Sequence, residues 1–144
     1  MASNACFNGE LMTKLITVPS HLVDYAWKDG AYKLGESCVE ECTPDQLKYS
    51  LARNERVLVR LDGETPAIGW GVYTVQQLPN MRVLFITNLW ARGASFELFF
   101  GELKDMAERL GCSRIRCAAL PAQSRIFKKK CEFLPVYEIL EVQL

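Results

Sequence analysis

The chain is short of the residues on which several chemistries depend. It has one histidine, His21, in 144 residues, which leaves a single imidazole for any Ser-His-Asp or Cys-His relay and no pair of them for a metal centre. His21 stands two residues past Pro19 at a helix start, where a surface or capping role is expected. There is also no net charge: seventeen basic and seventeen acidic residues cancel, so nothing draws the whole molecule to nucleic acid or to an anionic membrane. The one basic cluster, Arg125 with Lys128-Lys129-Lys130, reads as a solvated helix face. No apolar run approaches the roughly 20 residues that cross a bilayer. Internal repeats, low-complexity tracts and linkers are lacking too, so one compact domain over 1–144 is expected.

Six cysteines are present, Cys6, Cys38, Cys42, Cys112, Cys117 and Cys131, without the spacing of a disulfide framework. The first residues lack the basic-then-apolar layout of a signal peptide. Reduced thiols in a cytoplasmic protein are therefore expected. Cys38-Val-Glu-Glu-Cys42 could offer half a metal site on one helical face, but no second pair completes four ligands, and no metal is expected.

What the chain does have is concentrated between Met81 and Phe133. A strand over 81–89 passes through Trp90-Ala91-Arg92-Gly93-Ala94-Ser95 into an amphipathic helix. Phe96, Phe99, Phe100, Leu103, Met106, Ala107 and Leu110 fall on a single stripe at i, i+3, i+4, i+7 spacing. Gly111 supplies the usual residue past a helix end. A second apolar strand over 113–120 makes the run a right-handed βαβ crossover with parallel strands. The first amides of such a helix face whatever sits above the strand end, where anions bind in many folds.

Upstream, Leu11 to Val18 reads as a strand, and a helix after Pro19-Ser20 carries Leu22, Val23, Ala26 and Trp27 on one side. Thr43-Pro44-Asp45-Gln46 is a helix start with a capping threonine, Pro at the first position and Gln46 able to return a bond to the cap amide. Leu47 and Leu51 then face inward. Strands over 56–61 and 68–77 flank an Asp62-Gly63 turn, the second with Trp70, Val72 and Thr74 opposite Gly71, Tyr73 and Val75. Pro121 opens a short helix with Ile126 and Phe127 inward, and Phe133 to Leu144 is expected to close the domain as a final strand. The order is β-α-α-β-β-β-α-β-α-β, an α/β (α+β) mixed sheet of about six or seven strands with helices on both faces.

In element order, over nearly its whole length, the chain resembles the GNAT superfamily of N-acetyltransferases. In that family the fourth strand and the long helix meet at an Arg/Gln-x-x-Gly-x-Gly/Ala loop that cradles the pyrophosphate of acetyl-CoA, and the next strand splays away to leave a slot for the pantetheine arm. Small residues there let backbone amides approach phosphate oxygens. The resemblance sets Trp90 at the Arg/Gln place, Gly93 at the first glycine and Ser95 at the last Gly/Ala. The cofactor-binding candidates are thus Leu89, Trp90, Arg92, Gly93, Ala94 and Ser95, with Arg92 able to meet a phosphate from within the loop.

No catalytic residue is assigned. Residues 83–89 contain no Glu, Asp or His to act as a base. Lys128 stands where active members carry an acidic tyrosine, and Glu132 replaces the following glycine. Tyr137 is the fallback acid, and packing is the commoner role for a lone aromatic on a terminal strand.

The Val-Pro opening near residue 18, the Thr-Pro-Asp-Gln helix start and the Ala-Glu-Arg-Leu-Gly-Cys helix end are similar to small GNAT-like proteins of tailed bacteriophages. That resemblance implies a noncatalytic structural or binding protein, phage-encoded and virion-associated. Its partners would be other virion proteins or further copies of itself, in the bacterial host cytoplasm or the virion. The alternative is an acetyl-CoA-dependent N-acetyltransferase acting on an amine, with strand amides at Thr87 to Leu89 as oxyanion donors and Arg92 to Ser95 on the pyrophosphate. With the motif reduced to one of its three positions, no resident cofactor is expected. Acetyl-CoA should bind weakly, with Kd above roughly 100 μM, or about −5.5 kcal/mol.

Overall fold

A computed structural model describes residues 13–93 and 95–144. The expected start of the first strand at Leu11 and the loop residue Ala94 lie outside that range. The elements are β1 (Lys14–Val18), a 3₁₀ turn at Ser20–Leu22 leading into α1 (Val23–Lys28), a 3₁₀ segment at Ala31–Ser37, α2 (Pro44–Ala52), β2 (Val57–Asp62), β3 (Gly69–Gln77), β4 (Arg82–Ala91), α3 (Ser95–Arg109), β5 (Arg114–Cys117) and α4 (Pro121–Lys130). One sheet runs β1-β2-β3-β4-β5. The first three pairings are antiparallel, and β4 and β5 are parallel, as a helical crossover through α3 requires.

Strand alternation divides the core in two. Val59, Leu61, Tyr73, Leu84 and Ile86 meet Phe99, Phe100, Leu103 and Met106 of α3 and Phe127 of α4. On the other face Leu58, Trp70 and Val72 meet Val23, Ala26, Leu34, Leu47 and Leu51. The stripe read from the sequence is the buried face of α3, which sits close to the sheet because Gly69 and Gly71 of β3 put no side chain beneath Phe99. A Cβ at Gly71 would come within 2.7 Å of the Phe99 ring. At the far end Gly111 takes φ +76°, and Arg82 Nε donates to the Leu110 carbonyl at 2.8 Å, satisfying a helix-end acceptor. The α2 start forms its capping box as expected: Gln46 N–H donates to Thr43 Oγ1 at 3.2 Å and Thr43 N–H to Gln46 Oε1 at 2.9 Å. In the β2–β3 connection the Ala67 N–H donates to Asp62 Oδ1 at 2.8 Å, closing a loop longer than a tight Asp62-Gly63 turn.

Three expectations need correcting. The final strand over Phe133–Leu144 is not formed, and the sheet has five strands. A strand needs a ladder partner, and among the described residues neither the tail nor the outer edge of β5 has one. Ile126 is 39% exposed rather than inward. Neighbouring residues on a helix diverge by about 100°, and the inward place goes to Phe127, edge-on to Phe100 at 5.4 Å. Leu22 is exposed as well, because the chain there is a 3₁₀ turn and the helix proper begins at Val23.

One irregularity shapes the centre of the sheet. Val72 pairs with Asn88 but Tyr73 pairs with Ile86, so Thr87 is an extra residue, a β-bulge. Beyond it the faces exchange: Leu89 and Ala91 stay with the α3 side, while Trp90 packs on the α1–α2 side.

Candidate functional site

The bulge coincides with a fork. Pairing of β4 with β5 runs from Val83↔Arg114 to Ile86↔Cys117 and stops, while β4 continues to Ala91 bonded only to β3. A bulge bends its strand and ends pairing, so the outer edge of Thr87–Ala91 is bare. At the fork lies a cleft of about 40 Å³ lined by Ser37, Ile86, Thr87, Asn88, Leu89, Cys117, Ala118, Gln123 and Phe127.

The cleft wall is a fixed polar chain. Asn88, the one buried polar or charged residue among those described, donates from Nδ2 to Ser37 Oγ at 3.0 Å. It accepts from Thr87 Oγ1 at 2.9 Å. Ser37 Oγ in turn donates to the Leu34 carbonyl at 2.6 Å. A buried amide with both ends engaged is locked, so the backbone of β4 just past the bulge is held rigid. The only titratable side chain lining the cleft is Cys117. Burial, with Cys131 nearby, pushes its thiol up to about 11, so it keeps its proton at neutral pH. Cys38, near Asn88, is also raised by burial.

The loop at the start of α3 is open. Gly93 is exposed at φ +39°, with no atom within 4 Å of where a Cβ would stand. Arg92 is exposed; its amide donates to Ile68 O at 3.1 Å and Ser95 N–H donates to Arg92 O at 2.8 Å. The loop is thus tied to β3 through Arg92 and turned by Ser95, and the amides still orphaned by helix geometry belong to the next residues of α3. Glu97 sits in that first turn. Of the candidates from sequence, Arg92, Gly93 and Ser95 come together here. Leu89 and Trp90 project to opposite faces of β4: Leu89 is buried beneath α3, and Trp90 lies on the α1–α2 side with Lys33 Nζ 4.5 Å from its ring centroid.

Tyr137 is 71% exposed, neither packed in the core nor among the residues lining the cleft. No carboxylate or imidazole lines the cleft either. The side chains of Ser37, Asn88, Cys117 and Gln123 were not singled out from sequence. The available signal was Thr87-Asn88, a polar pair inside an otherwise apolar strand.

The overall fold is shared with many solved structures. The fold is that of the GNAT acetyltransferases. A ribosomal-protein-alanine N-acetyltransferase from Brucella melitensis biovar Abortus superposes with TM-score 0.69 at 10% identity, covering 92% of this chain and 99% of that one. An aminoglycoside N-acetyltransferase in complex with CoA gives 0.66 at 9% identity over 92% and 94%. A GNAT family acetyltransferase from Staphylococcus aureus gives 0.64 at 12% identity over 92% and 99%. No protein-family model matches the sequence, and no curated protein matches it significantly. Among the described residues no helix is long and apolar enough to cross a membrane, and no group of His, Cys, Asp and Glu could hold a metal ion.

Proposed function

We propose that the chain is an acetyl-CoA-dependent N-acetyltransferase acting on an amine. The observation that carries this reading is the fork: a bulge at Thr87 ends β4–β5 pairing and bares a strand edge stiffened by Asn88. The residues fit the cofactor. Gly93 leaves open the space a side chain would fill, and Arg92 beside it carries a charge suited to a phosphate. Acetyl-CoA, when bound, supplies an activated acetyl group as a thioester. The bare edge at Thr87 to Leu89 offers backbone donors to the carbonyl oxygen, aimed where negative charge develops. Among the described residues no base lines the cleft, so the amine must arrive neutral. Attack by the amine nitrogen on the acetyl carbon would break the carbon–sulfur bond, with the proton lost from nitrogen passing through solvent to the leaving sulfur. Cys117, held protonated by burial, would stay neutral beside that sulfur and add no negative charge at the fork.

The second reading keeps the fold and drops the chemistry, as a noncatalytic binding protein, virion-associated in the phage setting that the sequence pattern resembles. It is favoured by the lack of a carboxylate or imidazole in the cleft and by Lys128 at the position where active members carry tyrosine. Calorimetric titration with acetyl-CoA and with CoA, followed by CoA release over a panel of primary amines, separates the two. Micromolar binding lost in Gly93→Val, with amine-dependent CoA release, supports the transferase. Absence of binding up to millimolar acetyl-CoA supports the noncatalytic protein.

A further inference from the structure

A hollow much larger than the fork lies elsewhere in the molecule. A groove of about 850 Å³ runs along the far side of β5, between the strand with α3 and the segment Glu132–Val136. Arg114, Ile115 and Arg116 of β5 form its inner wall, on a strand edge that has no partner among the described residues. Beside it stands a chain segment with the opposite need. From Leu134 to Leu144 the tail forms no secondary structure, and Leu134, Ile139, Leu140 and Val142 are each at least 80% exposed. Scattered exposed apolar residues need no explanation, but a contiguous run of them marks a contact surface.

We propose that the tail of one copy adds as a strand to the β5 edge of a second copy, in a reciprocal dimer. Three observations select that occupant. Donor and acceptor are on one chain, so a two-fold arrangement satisfies both tails and both edges at once. The tail cannot readily fill its own groove. Its root is pinned by Phe133 against Phe100 at 4.9 Å and Phe127 at 5.7 Å, Glu132–Val136 is itself the groove's outer wall, and past Pro135 the residues 136–144 contain no Gly, Pro, Asn, Asp or Ser with which to reverse direction. Charge matches as well. Arg114 and Arg116 stand on the strand edge itself, Lys104, Asp105, Glu108 and Glu132 line the rest of the groove, and the tail carries Glu138 and Glu141. These two glutamates fall on opposite faces of an extended strand, so either register brings one carboxylate to the side of Arg114 and Arg116. The arginines on a short edge deter pairing with unrelated strands and admit an acidic one.

The test is sedimentation and light scattering of the full chain and its variants. The full chain should be a dimer, with hydrogen exchange slowed at 114–117 and 138–142 and released on dilution. Arg114→Glu with Arg116→Glu, and separately Glu138→Lys with Glu141→Lys, should each raise the dimer dissociation constant at least tenfold. Mixing the two variants should restore dimers, since both contacts of the heterodimer are again matched. A chain monomeric at every concentration, a dimer indifferent to the tail variants, or a mixture that stays monomeric overturns the proposal. Unchanged circular dichroism in each variant keeps a folding defect apart from these outcomes.

Discussion

The two halves of β4 put the same backbone to different uses. From Val83 to Ile86 the strand is paired on both sides, with Val83, Leu84 and Ile86 buried. From Thr87 to Ala91 it is paired on one side only, and its second residue is an asparagine locked to a serine from another layer. The first half gains by sealing itself from everything. The second is kept bare on one edge, and the cost of burying Asn88 is offset by hydrogen bonds. A fold can thus set a rigid open edge beside a closed one by inserting a single residue.

Substitutions in the two halves should separate stability from function. Leu84→Ala, in the closed half and fully buried, should destabilise by about 2–5 kcal/mol through the cavity left beneath α3; Leu103→Ala on the facing helix should cost as much. Urea unfolding measures both, and a loss below about 1 kcal/mol would place either residue at the surface. Asn88→Ala, in the open half, should cost about 1–3 kcal/mol, because Ser37 Oγ and Thr87 Oγ1 each lose a partner. Its turnover should fall by more than that loss of stability explains, and a variant that melts lower with undiminished acetyl transfer would reduce Asn88 to a packing role.

At the loop the effect should lie in binding, with Gly93→Val also straining a backbone held at φ +39°. Gly93→Val and Arg92→Ala should weaken acetyl-CoA binding about tenfold, or about 1.4 kcal/mol. Arg92→Ala, a surface change, should leave stability within about 0.5 kcal/mol. Calorimetry set beside thermal melts shows whether the two quantities part.

The smallest effect concerns pH. Cys117 is pushed up to about 11 by burial, from an ordinary thiol value of 9.0. Between those values the folded chain holds a proton that the unfolded chain has released, so stability should fall as pH rises from about 9 to about 11. Cys117→Ala should flatten that part of the stability curve, and an unchanged slope would assign it to other groups. The same protonation makes Cys117 slow toward thiol reagents at neutral pH.

How much of this was legible in the sequence depends on the range of the interaction. The α3 stripe, the Thr43–Gln46 cap and the parallel crossover are set within one element or between adjacent ones, and periodicity and cap chemistry reveal them. The bulge arises from pairing Val72 and Tyr73 with residues on another strand, and no local pattern encodes it. The face taken by Trp90 was hidden with it, since the side chain's direction depends on counting through Thr87. The tail shows the same limit from the other side. Its composition suits a strand, yet the ladder that would make it one is not supplied by its own chain among the described residues. At the site, Gly93 was found because an open turn leaves a mark in sequence. The wall built by Ser37 and Asn88 joins residues 51 positions apart, and only the fold brings them together.

The extra residue at Thr87 also makes the length of β4 carry information. The bulge absorbs it, so that Tyr73 faces Ile86 and Val72 faces Asn88 on either side of the added residue. Deleting Thr87 would restore regular pairing with every later side chain on the face it already holds, Leu89 and Ala91 toward α3 and Trp90 away from it. The core would survive the loss, and only the bend that opens the strand edge would go. Tolerance of this gene to single-codon deletions within β4 should therefore be highest at Thr87 for folding, while the open edge is what such a deletion removes.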